Sequence, residues 1–145
     1  MRSEPDTGVD ESGLHDNSEH NGNMHDGSDQ DGVSPLSMLS NQMVRIYKEK
    51  FGRGPTRARS SFAGPNTVVC LLENTFTPAE KNLQSMGEHQ RLRDMRMFFQ
   101  YTSAGDFTNA VEQTLGRRVE SFISGIDTNT DVACEVFTLA PSTGD

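Results

Sequence analysis

The residues best placed to do chemistry are five cations crowded into the twelve residues from 48 to 59, where Glu49 is the only acid. The five are Lys48, Lys50, Arg53, Arg57 and Arg59. Guanidinium groups offer planar forks of N–H donors that match carboxylate and phosphate oxygens. Arg57 and Arg59 alternate along a predicted strand, so both side chains project from the same face of it. The two lysines end a predicted helix, where cations complement the carbonyl dipole without any ligand.

Three interpretations of this basic segment stay open. It is a solvated sheet edge whose charge discourages aggregation between strands, a site for an oxyanion or an acidic partner, or a nucleic-acid surface. Nucleic acid is the least favoured of the three. Residues 34–145 hold twelve acids and twelve bases, and residues 1–33 carry the whole net charge of −8, which repels phosphate.

The three histidines near the start of the chain are a weak metal signal. His15, His20 and His25 recur every five residues, with Asp16 and Asp26 beside two of them. Imidazole and carboxylate groups are legitimate metal ligands, but a low-complexity segment offers no preformed geometry and loses chain entropy on binding. We therefore predict no metal site there.

The remaining candidates for catalysis do not form a recognisable set. His89, Cys70 and Cys134 lie in no motif of a nucleophilic enzyme, and both thiols are predicted to be free in apolar strands. Asp127 and Asp131 flank a predicted turn, where aspartate caps its own backbone more often than it acts as an acid or base. We expect no enzyme activity, no catalytic residues and no cofactor.

Composition divides the chain at residue 34. Residues 1–33 contain nine acids, one base and no Phe or Tyr, so they have little to bury and are predicted to be a disordered tail. Residues 34–140 are predicted to form one domain, followed by a flexible C-terminus over 141–145. The longest apolar run, residues 68–72, is far shorter than the ~20 residues that cross a bilayer. With no secretory signal either, a cytoplasmic chain without direct membrane insertion is predicted.

The elements that carry the basic segment follow from the hydrophobic period. Apolar residues at three- and four-residue steps predict a helix over residues 35–51, with Ser34 as its N-cap. The runs 57–62 and 67–73, on either side of a Gly-Pro-Asn turn, predict a β-hairpin. Residues 77–80, Thr-Pro-Ala-Glu, form a capping box that predicts a short helix ending near Ser85.

Helical period continues from residue 88 to residue 115, and a second hairpin follows over 118–126 and 131–139. The predicted buried stripe of this helix includes Leu92, Met95, Phe99 and Thr102. A straight helix of this length reaches roughly 42 Å against about 23 Å for a seven-residue strand, so it must bend, break near Gly105 or overhang the sheet. An overhang favours a homodimer through the helix over 88–115.

The predicted fold is α+β. Two β-hairpins form an antiparallel sheet covered by helices on one face, in the order α-β-β-α-α-β-β.

Several short segments stand in a specific order along the chain. They are Val44-Arg45-Ile46-Tyr47-Lys48-Glu49, Phe51 through Arg59, Val68–Glu73, Thr77 through Lys81, Leu115-Gly116-Arg117 and Glu135-Val136-Phe137. As a set they resemble the MpsC family over about residues 36–140. The resemblance implies a small cytoplasmic accessory protein of a membrane-potential-generating system that supports sodium-linked or bicarbonate uptake. It implies a membrane transporter subunit as partner and supplies no catalytic residues.

The sequence therefore predicts two alternative functions. The first is a non-enzymatic accessory module whose Arg53, Arg57 and Arg59 edge, with both lysines, docks an acidic surface or an oxyanion in that uptake system. This module is cytoplasmic, or peripheral to the inner face of the membrane through its partner. The second is a nucleic-acid-binding or regulatory module that uses the same edge. A salt titration separates them, because affinity for nucleic acid falls steeply and linearly on a log–log plot.

Overall fold

The computed structural model of the chain describes residues 34–142. The predicted tail over 1–33, with its three histidines, and the last three residues lie outside the described residues. The described elements are α1 Pro35–Phe51, β1 Arg57–Phe62, β2 Thr67–Glu73, α2 Pro78–Ser85, α3 His89–Thr102, α4 Ala104–Leu115, β3 Val119–Asp127 and β4 Val132–Leu139. This arrangement confirms the α+β class and both hairpins. Among residues 34–142, none of the helices combines the length and apolar character that crossing a membrane requires.

Helix α1 forms where the period predicted it. Its buried residues are Leu39, Met43, Ile46 and Tyr47. The helix ends where Gly52, at a φ of 83°, donates its N–H to the Lys48 carbonyl over 2.9 Å. Glycine adopts this left-handed conformation at little cost, so the chain can leave the helix here and enter β1 five residues later.

The two hairpins join into one antiparallel sheet with the strand order β1-β2-β4-β3. The join is between β2 and β4, where Val69 pairs with Val136 and Leu71 with Cys134. Strands β2 and β4 are therefore central. The edge strands are β1, which carries Arg57 and Arg59, and β3.

The helices pack on one face of the sheet, as predicted. The core between helices and sheet contains Leu39, Met43, Ile46, Tyr47, Val68, Cys70, Leu72, Phe107, Ala110, Val111, Ala133, Phe137 and Leu139. The alternate residues of each strand point the other way. We call that side the open face; its residues include Arg57, Arg59, Val69, Leu71, Glu73, Ile123, Gly125, Asp127, Val132, Cys134 and Val136.

The helical stretch predicted over 88–115 is not continuous but breaks at Ser103 into α3 and α4, which is one of the three outcomes expected from its length. The Ser103 hydroxyl donates to the Phe99 carbonyl over 2.9 Å, and a serine bonded back to the preceding turn bends a helix. The break lies two residues before the predicted weak point at Gly105. Because of this break, the described residues contain no long helix that overhangs the sheet. The overhang was the argument for a homodimer through 88–115, which therefore stays a prediction.

The buried stripe of α3 also differs from the prediction. Leu92 is buried as expected, but the positions that follow it on the same face are Arg96 and Gln100. Phe99 is 41% exposed, and Thr102 is exposed as well. Polar side chains therefore enter the core where apolar ones were predicted.

Candidate functional site

The structure separates the five predicted site residues into three environments. Lys48 and Lys50 lie on exposed positions of α1, and the Lys50 ammonium meets the Asp106 carboxylate of α4 at 3.0 Å. Arg53 lies in the loop after α1. Arg57 and Arg59 lie together on the open face of β1. The basic segment is therefore not one continuous site.

Arg53 points into the fold. Its Nη1 donates to the carbonyls of Asn74 at 2.7 Å and Phe76 at 3.0 Å, which ties it to the loop between β2 and α2. Asn74 has a φ of 59°, a left-handed conformation that asparagine adopts more readily than most residues other than glycine. Part of the donor fork of Arg53 thus holds this loop in place.

Arg57 and Arg59 share one carboxylate. Arg59 Nη2 lies 3.3 Å from Glu73 Oε2, and Arg57 Nη1 lies 3.9 Å from Glu73 Oε1. The side chains of the two arginines are 59% and 57% exposed. Two positive charges against one negative charge leave one positive charge at this edge. Ion pairs this exposed contribute little to stability, so the guanidinium groups remain available to a partner.

Asp131 does not cap its own turn, so that expectation is wrong for it. Its Oδ1 accepts both the N–H and the hydroxyl of Thr75 at 2.9 Å, and its Oδ2 accepts the N–H of Phe76 at 2.9 Å. Asp127 behaves as predicted and accepts the N–H groups of Asn129 and Thr130 within the turn. Asp131 is thus a buried clamp between the β3–β4 turn and the loop that Arg53 also holds.

We expect Asp131→Ala to lower the free energy of unfolding by about 3 kcal/mol, because buried donors of Thr75 and Phe76 lose their acceptor. Urea denaturation followed by circular dichroism measures this loss. The matched variant Asp127→Ala, in an exposed turn, should cost about 1 kcal/mol or less. Equal losses in the two variants would contradict the clamp.

A second group of polar side chains lies in the core and was not found from the sequence. This buried cluster consists of Tyr47, Glu80, Arg96, Gln100, Ser124 and Glu135, which come from five different elements. Arg96 is fully buried and grips Glu80 through Nε at 2.8 Å and Nη2 at 2.7 Å. Its Nη2 also donates to the Thr75 carbonyl at 2.9 Å. The guanidinium lies 3.8 Å from the centre of the Phe51 ring, within cation–π range.

Glu135 is the other acid of the buried cluster. The Tyr47 hydroxyl donates to its Oε2 at 2.6 Å, and the Ser124 hydroxyl donates to its Oε1 at 2.6 Å. Burial raises the pKa of Glu135 from 4.5 to about 8, although both hydroxyl donors and nearby Arg96 act to lower it. Burial therefore favours the protonated, uncharged form of this carboxyl. Burial, with the adjacent Glu135, also raises the pKa of Tyr47.

The described residues that were considered for nucleophilic catalysis are separated. His89 Nδ1 lies 2.7 Å from the Thr128 hydroxyl in the β3–β4 turn and does not contact a thiol. Both cysteines are free, as predicted, on adjacent central strands but on opposite faces of the sheet. Burial raises the pKa of Cys70 to about 12 and also raises the pKa of Cys134, which disfavours the thiolate. Within residues 34–142, no group of three or more His, Cys, Asp or Glu side chains is placed to hold a metal ion.

Comparison with known proteins gives one match. The family model described as Na+-translocating membrane potential-generating system (MpsC) matches residues 36–141, which include Arg57, Arg59 and the whole buried cluster. No curated protein and no solved structure matches the chain.

Proposed function

We propose that this chain, which belongs to the MpsC family, is a non-enzymatic accessory protein of a Na+-translocating, membrane potential-generating system. We propose further that it docks on an acidic surface of the membrane subunit of that system. The observation that carries the docking is the pair Arg57 and Arg59, which present two guanidinium forks at a sheet edge with one carboxylate between them.

The pair is suited to carboxylates for three reasons. Both side chains are more than half exposed, so binding requires little rearrangement of the fold. Glu73 holds them side by side, and an acidic partner can take its place on either fork without leaving a buried charge unpaired. Of the other predicted site residues, Lys50 is already paired with Asp106 and Arg53 already binds two carbonyls. We therefore assign the docking to Arg57 and Arg59 and not to Lys48, Lys50 or Arg53.

Charge reversal tests this proposal. The double variant Arg57→Glu and Arg59→Glu should capture the membrane subunit from its native host at least about tenfold less well, because two attractive contacts become repulsive. The matched variant Lys81→Glu and Arg91→Glu changes the net charge equally on other elements and should bind normally. Undiminished capture by the first variant would overturn the docking site. Recovery of RNA or DNA, lost steeply as salt rises, would favour the nucleic-acid alternative.

We also propose that the chain works in the cytoplasm, at the inner face of the membrane through its partner, and that it supports sodium-linked or inorganic-carbon uptake. A strain that lacks the chain should then take up less labelled sodium or bicarbonate, and the wild-type chain should restore uptake better than the double arginine variant. Equal uptake with and without the chain would count against this role.

A further inference from the structure

The open face of the sheet has an apolar centre that no described element covers. In β2, residues 68–72 are all apolar, so Val69 and Leu71 face away from the core beside Val68, Cys70 and Leu72, which face into it. In β4, Val132, Cys134 and Val136 likewise face outward, and Ile123 of β3 is 55% exposed. Antiparallel strands with one solvated face normally alternate apolar and polar residues, and continuous apolar strands are typical of burial on both faces. A second layer is therefore expected on this side.

The charges on the open face lie near one end of the strands, on β1 and β3 at the two edges and on β2 through Glu73. The strand register places Arg57, Glu73, Val132 and Asp127 in one row across the four strands. Arg57 stands at the β1 end of this row and Asp127 at the β3 end. The row on which Val69, Val136 and Ile123 lie is apolar from β2 to β3. The face thus carries cations at the β1 edge, Glu73 beside them at the end of β2, an acid at the β3 edge, and apolar residues at its centre.

We propose that a second copy of this chain covers the open face, sheet against sheet, about a two-fold axis parallel to the strands. Such an axis lays β1 of one copy over β3 of the other and β2 over β4, while each row stays aligned with itself. Val69 then packs on Val136 of the second copy, and Arg57 meets its Asp127. The same contacts recur on the other side of the axis, as an isologous interface requires.

The alternative two-fold axis, perpendicular to the strands, does not bring the opposite charges of the two edges together. It lays β1 over β1, so Arg57 does not meet Asp127 and no ion pair forms. With the parallel axis, Arg59 lies over Gly125 of the second copy, which has no side chain. Arg59 then stays at the rim of the interface with Glu73 and remains open to an acidic partner, whereas Arg57 is engaged across the dimer, so the second copy and the membrane subunit compete for Arg57.

The area of the open face indicates how tightly the proposed dimer should associate. Four strands about 4.8 Å apart, each with roughly seven residues at about 3.3 Å per residue, cover about 440 Å² per copy. This is about half of the roughly 800 Å² that each partner buries in a standard interface, so we expect a weak dimer. Its dissociation should be visible in the micromolar range.

Sedimentation of the full chain across that concentration range tests the proposal. Val136→Asn places a polar group at the centre of the open face and should weaken the dimer about tenfold or more, while circular dichroism stays unchanged. Arg57→Asp and Asp127→Lys should each weaken the dimer, and the two changes together should restore it. Rescue by the charge swap is specific to the parallel axis, because general damage to the fold would accumulate instead.

Three outcomes would overturn the proposal. One is a monomer at every concentration. Another is a dimer that survives Val136→Asn but dissociates in Phe98→Ser, a change on the exposed side of α3, which would support the helix-mediated dimer predicted from the sequence. The third is a monomer whose capture of the membrane subunit fails in Val136→Asn, which would show that the membrane subunit covers the open face.

Discussion

Replacing Arg96 by methionine should lower the free energy of unfolding by about 4 kcal/mol. Arg96 is fully buried, and two of its nitrogens hold the two carboxylate oxygens of Glu80 at 2.7 and 2.8 Å. Methionine fills similar space but donates no hydrogen bond, so Glu80 stays buried with the Thr77 N–H as its remaining partner. Most of the loss comes from this uncompensated charge and less from lost packing.

A double-mutant cycle measures the coupling energy between Arg96 and Glu80. Urea denaturation of Arg96→Met, Glu80→Gln and the double variant should show that the double variant is more stable than the two single losses predict, by about 2 kcal/mol. Arg96→Lys should fall between wild type and Arg96→Met, because an ammonium keeps the charge but lacks the planar fork that binds both Glu80 oxygens while also donating to the Thr75 carbonyl. If Arg96→Met unfolds within about 1 kcal/mol of wild type, the pair does not support the core.

The features that could be predicted from the sequence are local ones. The capping box over 77–80 needs only residues three apart, and both of its hydrogen bonds are present: Glu80 N–H to the Thr77 hydroxyl, and Thr77 N–H to Glu80 Oε1. The hairpins likewise depend on neighbouring strands and short turns. The second role of Glu80, as the partner of Arg96, joins residues sixteen apart on different helices, and no local pattern specifies it.

The sequence does not reveal the buried cluster, because apolar residue type alone does not mark the side of α3 that faces the core. From Leu92, the helical steps lead through Arg96, Gln100 and Ser103 to Phe107, and every one of these residues is buried. The stripe through Met95 and Phe99 selects apolar residues that lie to one side of this line. A polar residue on the line is acceptable only when a distant partner satisfies it, and the sequence does not show the partner.

The basic segment was resolved only by tertiary pairing. Five cations close together in sequence predict one site, yet three of them bind different parts of the fold. Lys50 binds α4, Arg53 binds the loop between β2 and α2, and Arg57 binds β2. The pairing of β2 with β4 decides which residues surround Arg57 and Arg59. These strands lie some sixty residues apart, so the local pattern that predicts each hairpin does not predict how the hairpins join.

Stability should fall as the pH rises from 4.5 towards 8, and Glu135 should be the main cause. Below pH 4.5 its carboxyl is protonated in both the folded and the unfolded chain. Between pH 4.5 and about 8 the unfolded chain releases this proton while the folded chain keeps it, since burial raises the pKa of Glu135 to about 8. Each pH unit in this window therefore costs about 1.4 kcal/mol, or about 5 kcal/mol in all, and above it the contribution is constant.

The neutral form is well accommodated because the Tyr47 and Ser124 hydroxyls lie 2.6 Å from its two oxygens and either can turn to accept the carboxyl proton. Glu135→Gln keeps the shape and removes the titration. Urea denaturation from pH 5 to pH 9 should show that the free energy of unfolding of this variant, relative to wild type, rises by several kcal/mol up to pH 8 and stays constant above it. Glu120→Gln, at an exposed position of β3, is the control and should run parallel to wild type. If the curve for Glu135→Gln also runs parallel, Glu135 does not hold its proton in the folded chain, and the carboxylate must be stabilised by Arg96 and its two hydroxyl donors.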